Sequence, residues 1–176
     1  MEMVKQEKKT NILVKEITIT AMFIALTLVF TYCVQIRLPI AANGGLIHLG
    51  NVPLFIAAIV YGKRTGALAG AIGMGLFDVL SGWAAWAPCT IIVVGLMGFF
   101  VGFICEKKKT YLFRVIAIVV ALFIKLAGYY IFEAIFISSP KAALVSIPGN
   151  VIQVGLAAIL VLLIIQPLER GLKQAN

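Results

Sequence analysis

The sequence predicts an all-α integral membrane protein, a compact bundle of six transmembrane helices with both termini in the cytoplasm. Three observations carry this expectation. First, the chain is 62% hydrophobic and only 12% charged, with a mean hydropathy of +1.07, whereas soluble domains are roughly 45–50% apolar. Second, 176 residues suffice for about six spans of ~20 residues with short connections, which leaves no room for a separate soluble domain. Residues 1–176 are therefore read as one transmembrane unit. Third, the cationic residues are segregated along the chain. Lys5, Lys8, Lys9 and Lys15 precede the first apolar run, and Lys63 and Arg64 divide the second from the third. Lys107, Lys108, Lys109 and Arg114 follow the fourth, and Arg170 and Lys173 follow the last. An even number of crossings puts all of these on one side, leaving Arg37 and Lys141 opposite and Lys125 inside. The positive-inside rule makes the rich side cytoplasmic. The net charge of +8 is thus a topology signal, and it does not point to nucleic acid.

Span one is expected over about 12–33, amphipathic from Asn11 to Glu16 and fully apolar from Phe23 to Phe30. Its apolar run is too long for the core of a cleavable signal and has no A-x-A-like site, so it is expected to remain as a helix. The outer loop 34–50 contains Pro39, Asn43, Gly44 and Gly45, residues that break helices and supply turns. Span two, about 51–61, is short for a complete crossing and is expected to be tilted or to start within a vestibule. Span three, about 66–80, carries Gly66, Ala69, Gly70, Gly73 and Gly75, small residues that let membrane helices approach closely. A second outer loop holds Trp83 and Trp86, the only tryptophans. Span four, about 89–105, has Gly95, Gly98 and Gly102, again suited to close packing. Span five is expected over about 111–137, followed by an outer loop from Ser138 to Pro148 and span six over about 149–167. No internal repeat is evident.

Several chemistries are excluded. Gly62-Lys63-Arg64-Thr65 lacks the upstream glycine of a phosphate-binding loop, and there is neither a His-Glu-x-x-His helix nor a Gly-x-Ser-x-Gly elbow. An enzyme is not expected, nor is a bound cofactor. One histidine and three cysteines without CxxC spacing indicate neither a metal site nor a disulfide framework, and Cys33, Cys89 and Cys105 read as small apolar residues.

The informative residues are ionisable ones stranded in apolar spans: Asp78, Lys125 and Glu133. A charge near the bilayer centre is unfavourable by roughly 3 to more than 10 kcal/mol, so such residues usually face a cavity, a partner or a substrate. Lys125, Tyr129 and Glu133 recur every four residues and share one helix face, as do Asn150 and Gln153. With alternating spans, Glu133, Asn150, Asp78, Trp83, Trp86, His48 and Asn51 fall at one outer level. Polar groups from several regions then converge on a partly apolar pocket, the usual composition of a small-ligand site. Bland alternatives exist for each: interfacial anchoring for the tryptophans, solvation for His48, helix bridging for Asn150 and Gln153. Tyr129 and Tyr130 face different directions, so at most one lines a pocket. Lys125 lies two turns, ~12 Å, below Glu133 and is the least direct ligand candidate, with snorkelling or pairing to a carboxylate as its alternatives.

The short spans, the cytoplasmic N-terminus, Ala21-Met22-Phe23-Ile24-Ala25 in span one and the run Gly44-Gly45-Leu46-Ile47-His48-Leu49-Gly50-Asn51 together resemble the substrate-binding S component of energy-coupling factor (ECF) vitamin transporters. The resemblance covers nearly the whole chain. It implies a subunit that captures a vitamin from outside, while a transmembrane coupling protein (the T component) and two cytoplasmic ATPases supply the energy. The chain itself would hold no cofactor, ATP being used by those partners. It further implies that Ala21 and Ala25 form the docking strip for the coupling protein, that loop 34–50 gates the pocket, and that the subunit reorients in the cell membrane to release its cargo. Within that family the chain looks similar to members for hydroxymethylpyrimidine or pyridoxine-like vitamins, with pantothenate and riboflavin types as alternatives. Residues expected to contact the vitamin are His48, Asn51, Asp78, Trp83, Trp86, Tyr129, Glu133, Asn150 and Gln153. Two readings from other classes are a stand-alone proton-coupled carrier using Asp78 and Glu133, and an assembly subunit in which the polar cluster only joins helices.

Overall fold

The structure, a computed structural model, describes residues 2–37, 46–136 and 140–175. Among these the chain forms helices α1 (Glu2–Cys33), α2 (Asn51–Tyr61), α3 (Lys63–Leu80), α4 (Ala87–Lys107), α5 (Tyr111–Phe136) and α6 (Pro140–Ala175). Two short strands, β1 (Gln35–Arg37) and β2 (Leu46–His48), pair antiparallel with Gln35 opposite His48 and Arg37 opposite Leu46. The Pro, Asn and paired Gly of the expected loop fall in 38–45, outside the described residues. Segments of α1, α4, α5 and α6 are long and apolar enough to cross a membrane.

The short α2 is central. Its 11 residues rise only ~16 Å, about half the ~30 Å hydrocarbon layer, and it packs against α1, α3, α4 and α6. Leu54, Phe55, Ala57 and Ala58 are wholly enclosed. An apolar helix surrounded by protein needs no membrane-matching length, which accounts for the short hydrophobic run.

Helices α3 and α4 pack most extensively, and their glycines are the reason. A Cβ on Gly98 would lie 2.2 Å from the Gly66 carbonyl oxygen, and one on Gly70 would lie 2.8 Å from that of Val94. Only glycine permits backbones this close. The turn from α2 to α3 is fixed by Gly62, whose φ of +93° lies in the left-handed region. Glu106 of α4 reaches this turn and accepts hydrogen bonds from the Lys63 backbone N–H at 3.0 Å and from Lys63 Nζ at 2.9 Å. At the same end Arg114 of α5, almost completely buried, pairs with Glu169 of α6 at 2.6 Å.

By contrast, α1 is held through a narrow stripe. Among its described side chains Phe23, Thr27 and Thr31, one turn apart, are the buried ones, while Ala21 and Ala25 face outward. It continues past the apolar run to Glu2, and the described side chains of this extension are exposed.

Helix α6 departs from the expected boundaries. The anticipated loop before Pro148 is helical from Pro140 onward. Pro140 occupies the first helical position, where a missing N–H is harmless, and the following Ala and Leu are good helix formers. Pro148 removes one internal hydrogen bond. In the same turn Asn150 Nδ2 donates to the Ser146 carbonyl at 3.2 Å.

Candidate functional site

The alternating helices bring the C-terminal ends of α3 and α5, the N-terminal ends of α4 and α6, and the β-hairpin to one end of the bundle. A cavity of about 80 Å³ lies there, lined by Leu46, His48, Phe77, Asp78, Trp83, Trp86, Thr90, Lys125, Tyr129, Glu133, Asn150 and Gln153. Eight of the nine vitamin-contact residues expected from sequence are thus around one space. Asn51 is the exception: it is fully enclosed in the first turn of α2 and is not part of the cavity wall, because α2 is wrapped by its neighbours on all sides.

The wall is held by a connected set of polar contacts. Lys125 Nζ donates to Gln153 Oε1, and Gln153 Nε2 donates in turn to the Leu46 carbonyl of β2 at 3.4 Å. A buried ammonium on α5 is therefore tied through α6 to the hairpin. Glu133, 3% exposed, accepts from Ser146 Oγ at 2.7 Å and from Trp86. The Tyr129 and Thr90 hydroxyls share a hydrogen bond of 2.9 Å. Asp78, 9% exposed, has Thr90 within reach of its carboxylate, yet its Oδ2 has no hydrogen-bond partner.

Aromatic rings supply the apolar part. Trp83 and Trp86 meet edge to face with centroids 5.5 Å apart, a favoured aromatic geometry, and the Trp83 N–H donates to the Asp78 carbonyl at 2.8 Å. That backbone bond folds the α3–α4 connection over the cavity. His48 stands 6.1 Å from Phe77, and its Nδ1 accepts from the Gly50 N–H at 3.3 Å. A neutral imidazole that accepts at Nδ1 carries its proton on Nε2. Burial, followed by the nearby Lys125 charge, holds His48 well below the usual histidine range, consistent with the neutral form.

Lys125 is closer to the cavity than its depth on α5 suggests. Its Nζ sits 5.7 Å from the centre of the Tyr129 ring, one turn toward the hairpin, so the flexible stem carries the ammonium upward. Thr90, Phe77 and Leu46 also line the cavity without having been singled out from sequence. Thr90 left a signal, a hydroxyl in the first turn of a nearly uniform apolar span. Leu46 left none. Tyr130 is absent from the wall, in keeping with its different direction on α5. Among the described residues no group of His, Cys, Asp and Glu is arranged to hold a metal ion.

The family model of the ECF-type riboflavin transporter S component matches residues 11–170. Over 118 residues, 67% of the chain, it is 26% identical to a Pyrococcus woesei protein known from the gap 3′ region, 78% of which is covered. Over a stretch of the same length it is 26% identical to the thiamine precursor transporter HmpT of Lactococcus lactis, 66% of which is covered. The fold is similar to that of the S component of a bacterial ECF transporter, with a TM-score of 0.76 at 16% identity over 90% of this chain and 98% of that one. ThiT from Listeria monocytogenes is similar with a TM-score of 0.68 at 19% identity, over 88% and 94% of the two chains. The chain belongs to the family of ECF transporter S components, and is a membrane-embedded, substrate-binding subunit of vitamin transport and not an enzyme.

Proposed function

We propose that this subunit captures a small, single-ring vitamin or vitamin precursor, hydroxymethylpyrimidine or a pyridoxine-like compound, in the cavity beneath the β-hairpin. The observation that carries the reading is the convergence on one small space of Asp78, Glu133, Lys125, Gln153, Asn150 and His48 with two indole rings. A heteroaromatic ring offers faces for the aromatics and nitrogens or hydroxyls for the polar groups. The size of the cavity, about 80 Å³, is well below the roughly 300–1,000 Å³ of pockets for drug-sized ligands and favours one ring over a fused tricycle. The thiamine-precursor transport of HmpT supports the same choice. Riboflavin is the second reading, favoured by the family description and opposed by cavity size; a pantothenate type is opposed by the two carboxylates.

In this reading the chain crosses the membrane six times, with both termini and the basic clusters in the cytoplasm and the hairpin outside. Loop 34–50 gates the cavity. A T component and two ATPases provide the energy, the T component docking along Ala21 and Ala25, which lie on the exposed face of α1. Native mass spectrometry after mild extraction tests the reading: a retained single-ring heterocycle is expected. A retained flavin would select riboflavin, and uptake by the chain alone after ATP depletion would refute dependence on partners.

A further inference from the structure

We propose that the end of α4 away from the cavity carries a site for one anionic phospholipid, its phosphate received by Lys107 and Lys63 and an acyl chain lying along Phe99 and Phe103. The inference requires only that the chain spans a membrane, and it is independent of which vitamin the cavity holds. Phe99, Phe103 and Lys107 recur every four residues and so share one face of α4. The Phe99 and Phe103 rings are stacked, with centroids 6.1 Å apart and planes at 8°, and Phe100 meets Phe99 edge to face at 5.6 Å. Phe99 and Phe100 are 38% and 37% exposed on a helix long and apolar enough to cross a membrane, so these rings meet acyl chains. From Phe99 to Lys107 the helix rises ~12 Å, slightly less than the ~15 Å of hydrocarbon in one leaflet. The stripe therefore reaches from acyl-chain depth to the headgroups.

The charges at the end of the stripe select the headgroup. Lys107 Nζ lies 4.4 Å from the centre of the Phe103 ring, and Lys63 Nζ, from the start of α3, lies 5.5 Å from the same centre. Two ammonium groups that repel each other are thus both within cation–π reach of one ring. Glu106 is already engaged by the Lys63 side chain and backbone N–H, and among the described residues Lys107 has no carboxylate partner. Arg64 and Glu16 line the groove that Lys63 and Glu106 share, and Lys108 Nζ stands 5.4 Å from the centre of the Phe113 ring of α5. Lys63, Arg64, Lys107 and Lys108 therefore outweigh Glu106 and Glu16, which leaves an excess of positive charge beside the aromatic stripe. A topology signal requires only that lysines be present at this end; two of them at the ring that ends an acyl-chain stripe form a seat for a lipid phosphate. A zwitterionic headgroup would bring its own ammonium into this excess, whereas phosphatidylglycerol brings net negative charge, so the anionic lipid is favoured.

Native mass spectrometry of the full chain tests the site. The purified protein is equilibrated in detergent with equimolar dioleoyl-phosphatidylglycerol and dioleoyl-phosphatidylethanolamine, and the lipid retained is followed as collision energy rises. The wild type is expected to hold one phosphatidylglycerol with a preference of about 5- to 30-fold, the range for one or two lysines at a membrane surface. Lys107 is exposed, so Lys107→Gln should keep the fold and lower the preference about fivefold. Phe103→Leu keeps every charge and should weaken retention about two- to fivefold through loss of the ring. Lys173→Gln, which removes a cation from the end of α6, should change nothing. Equal retention of the two lipids by the wild type would overturn the proposal without any variant. An equal loss of preference in Lys173→Gln and Lys107→Gln would overturn it too, since charge anywhere at this end would then suffice. If Lys107→Gln kept the lipid preference but no longer copurified with coupling subunits, the patch would belong to a protein partner and the proposal would fall.

Discussion

Replacing Gly98 with alanine separates packing from propensity at the α3–α4 contact. The added Cβ would lie 2.2 Å from the Gly66 oxygen, 2.4 Å from the Gly66 carbonyl carbon and 2.8 Å from the Ala67 nitrogen. All three are backbone atoms, so no rotamer change relieves the clash. Restoring ordinary contact at 3.4 Å or more requires the helices to part by about 1 Å. Overpacking of this kind typically destabilises by about 1–3 kcal/mol, and a clash with backbone atoms alone puts Gly98 at the upper end. The helix-propensity gain of alanine over glycine offsets up to about 1 kcal/mol, which leaves a net loss of about 2 kcal/mol. Two controls have the same propensity term without the clash. A Cβ at Gly95 would lie 3.2 Å from the Ala71 methyl and 3.8 Å from the Ala67 oxygen, and at Gly155 it would meet nothing within 4 Å. Thermal unfolding in detergent, followed by size-exclusion recovery, should rank the variants Gly155→Ala most stable, then Gly95→Ala, then Gly98→Ala. Because α3 carries Asp78 and α4 carries Thr90, Gly98→Ala should also weaken ligand binding. A wild-type melting midpoint for Gly98→Ala would refute the inference that backbone proximity sets this interface.

At the opposite end, Glu169→Ala leaves the buried Arg114 guanidinium unpaired and should destabilise by about 3–5 kcal/mol, toward the lower limit because the Glu169 side chain is 22% exposed; chemical denaturation checks it. His48 gives a pH dependence. Its folded pKa lies below the reference value of 6.5, so the unfolded chain binds the proton first. Stability is therefore unaffected well above 6.5 and falls as pH drops through 6.5 toward the folded value. The difference in melting temperature between pH 7.5 and pH 5.5 should be smaller in His48→Gln than in the wild type. Ala21→Trp combined with Ala25→Trp should abolish copurification with coupling subunits while leaving vitamin binding within about twofold, since both positions are exposed and neither is part of the cavity wall; comparable loss of binding would make the strip structural. Ser146→Ala removes one of the donors to Glu133 and should destabilise by about 1–3 kcal/mol, as measured by thermal unfolding.

Much of the site was legible because ionisable residues in apolar spans are rare and the four-residue spacing fixes a shared helix face. Asp78, Lys125, Tyr129, Glu133, Asn150 and Gln153 could be found in this way. Asn51 shows the limit of reasoning from depth: it is at the right level, but the enclosure of α2 removes it from the cavity. Lys125 shows another limit, since a long side chain ends a turn away from its own Cα. The start of α6 was misread as a loop because Pro148 suggested a boundary, whereas the helix runs from Pro140 through Pro148 without a break.

The sequence by itself determined the solvent of this protein, the order of its apolar segments and the residue types available to a ligand, because hydropathy, charge segregation and helical periodicity are properties of single segments. Only the tertiary structure decided that the shortest apolar segment is the central helix, that Thr90 and Leu46 join the wall, and that Asp78 alone among the buried cavity carboxylates keeps an oxygen without a partner. Those facts depend on which helix faces meet and on where each donor and acceptor finds its match, and such pairings lie between segments distant along the chain.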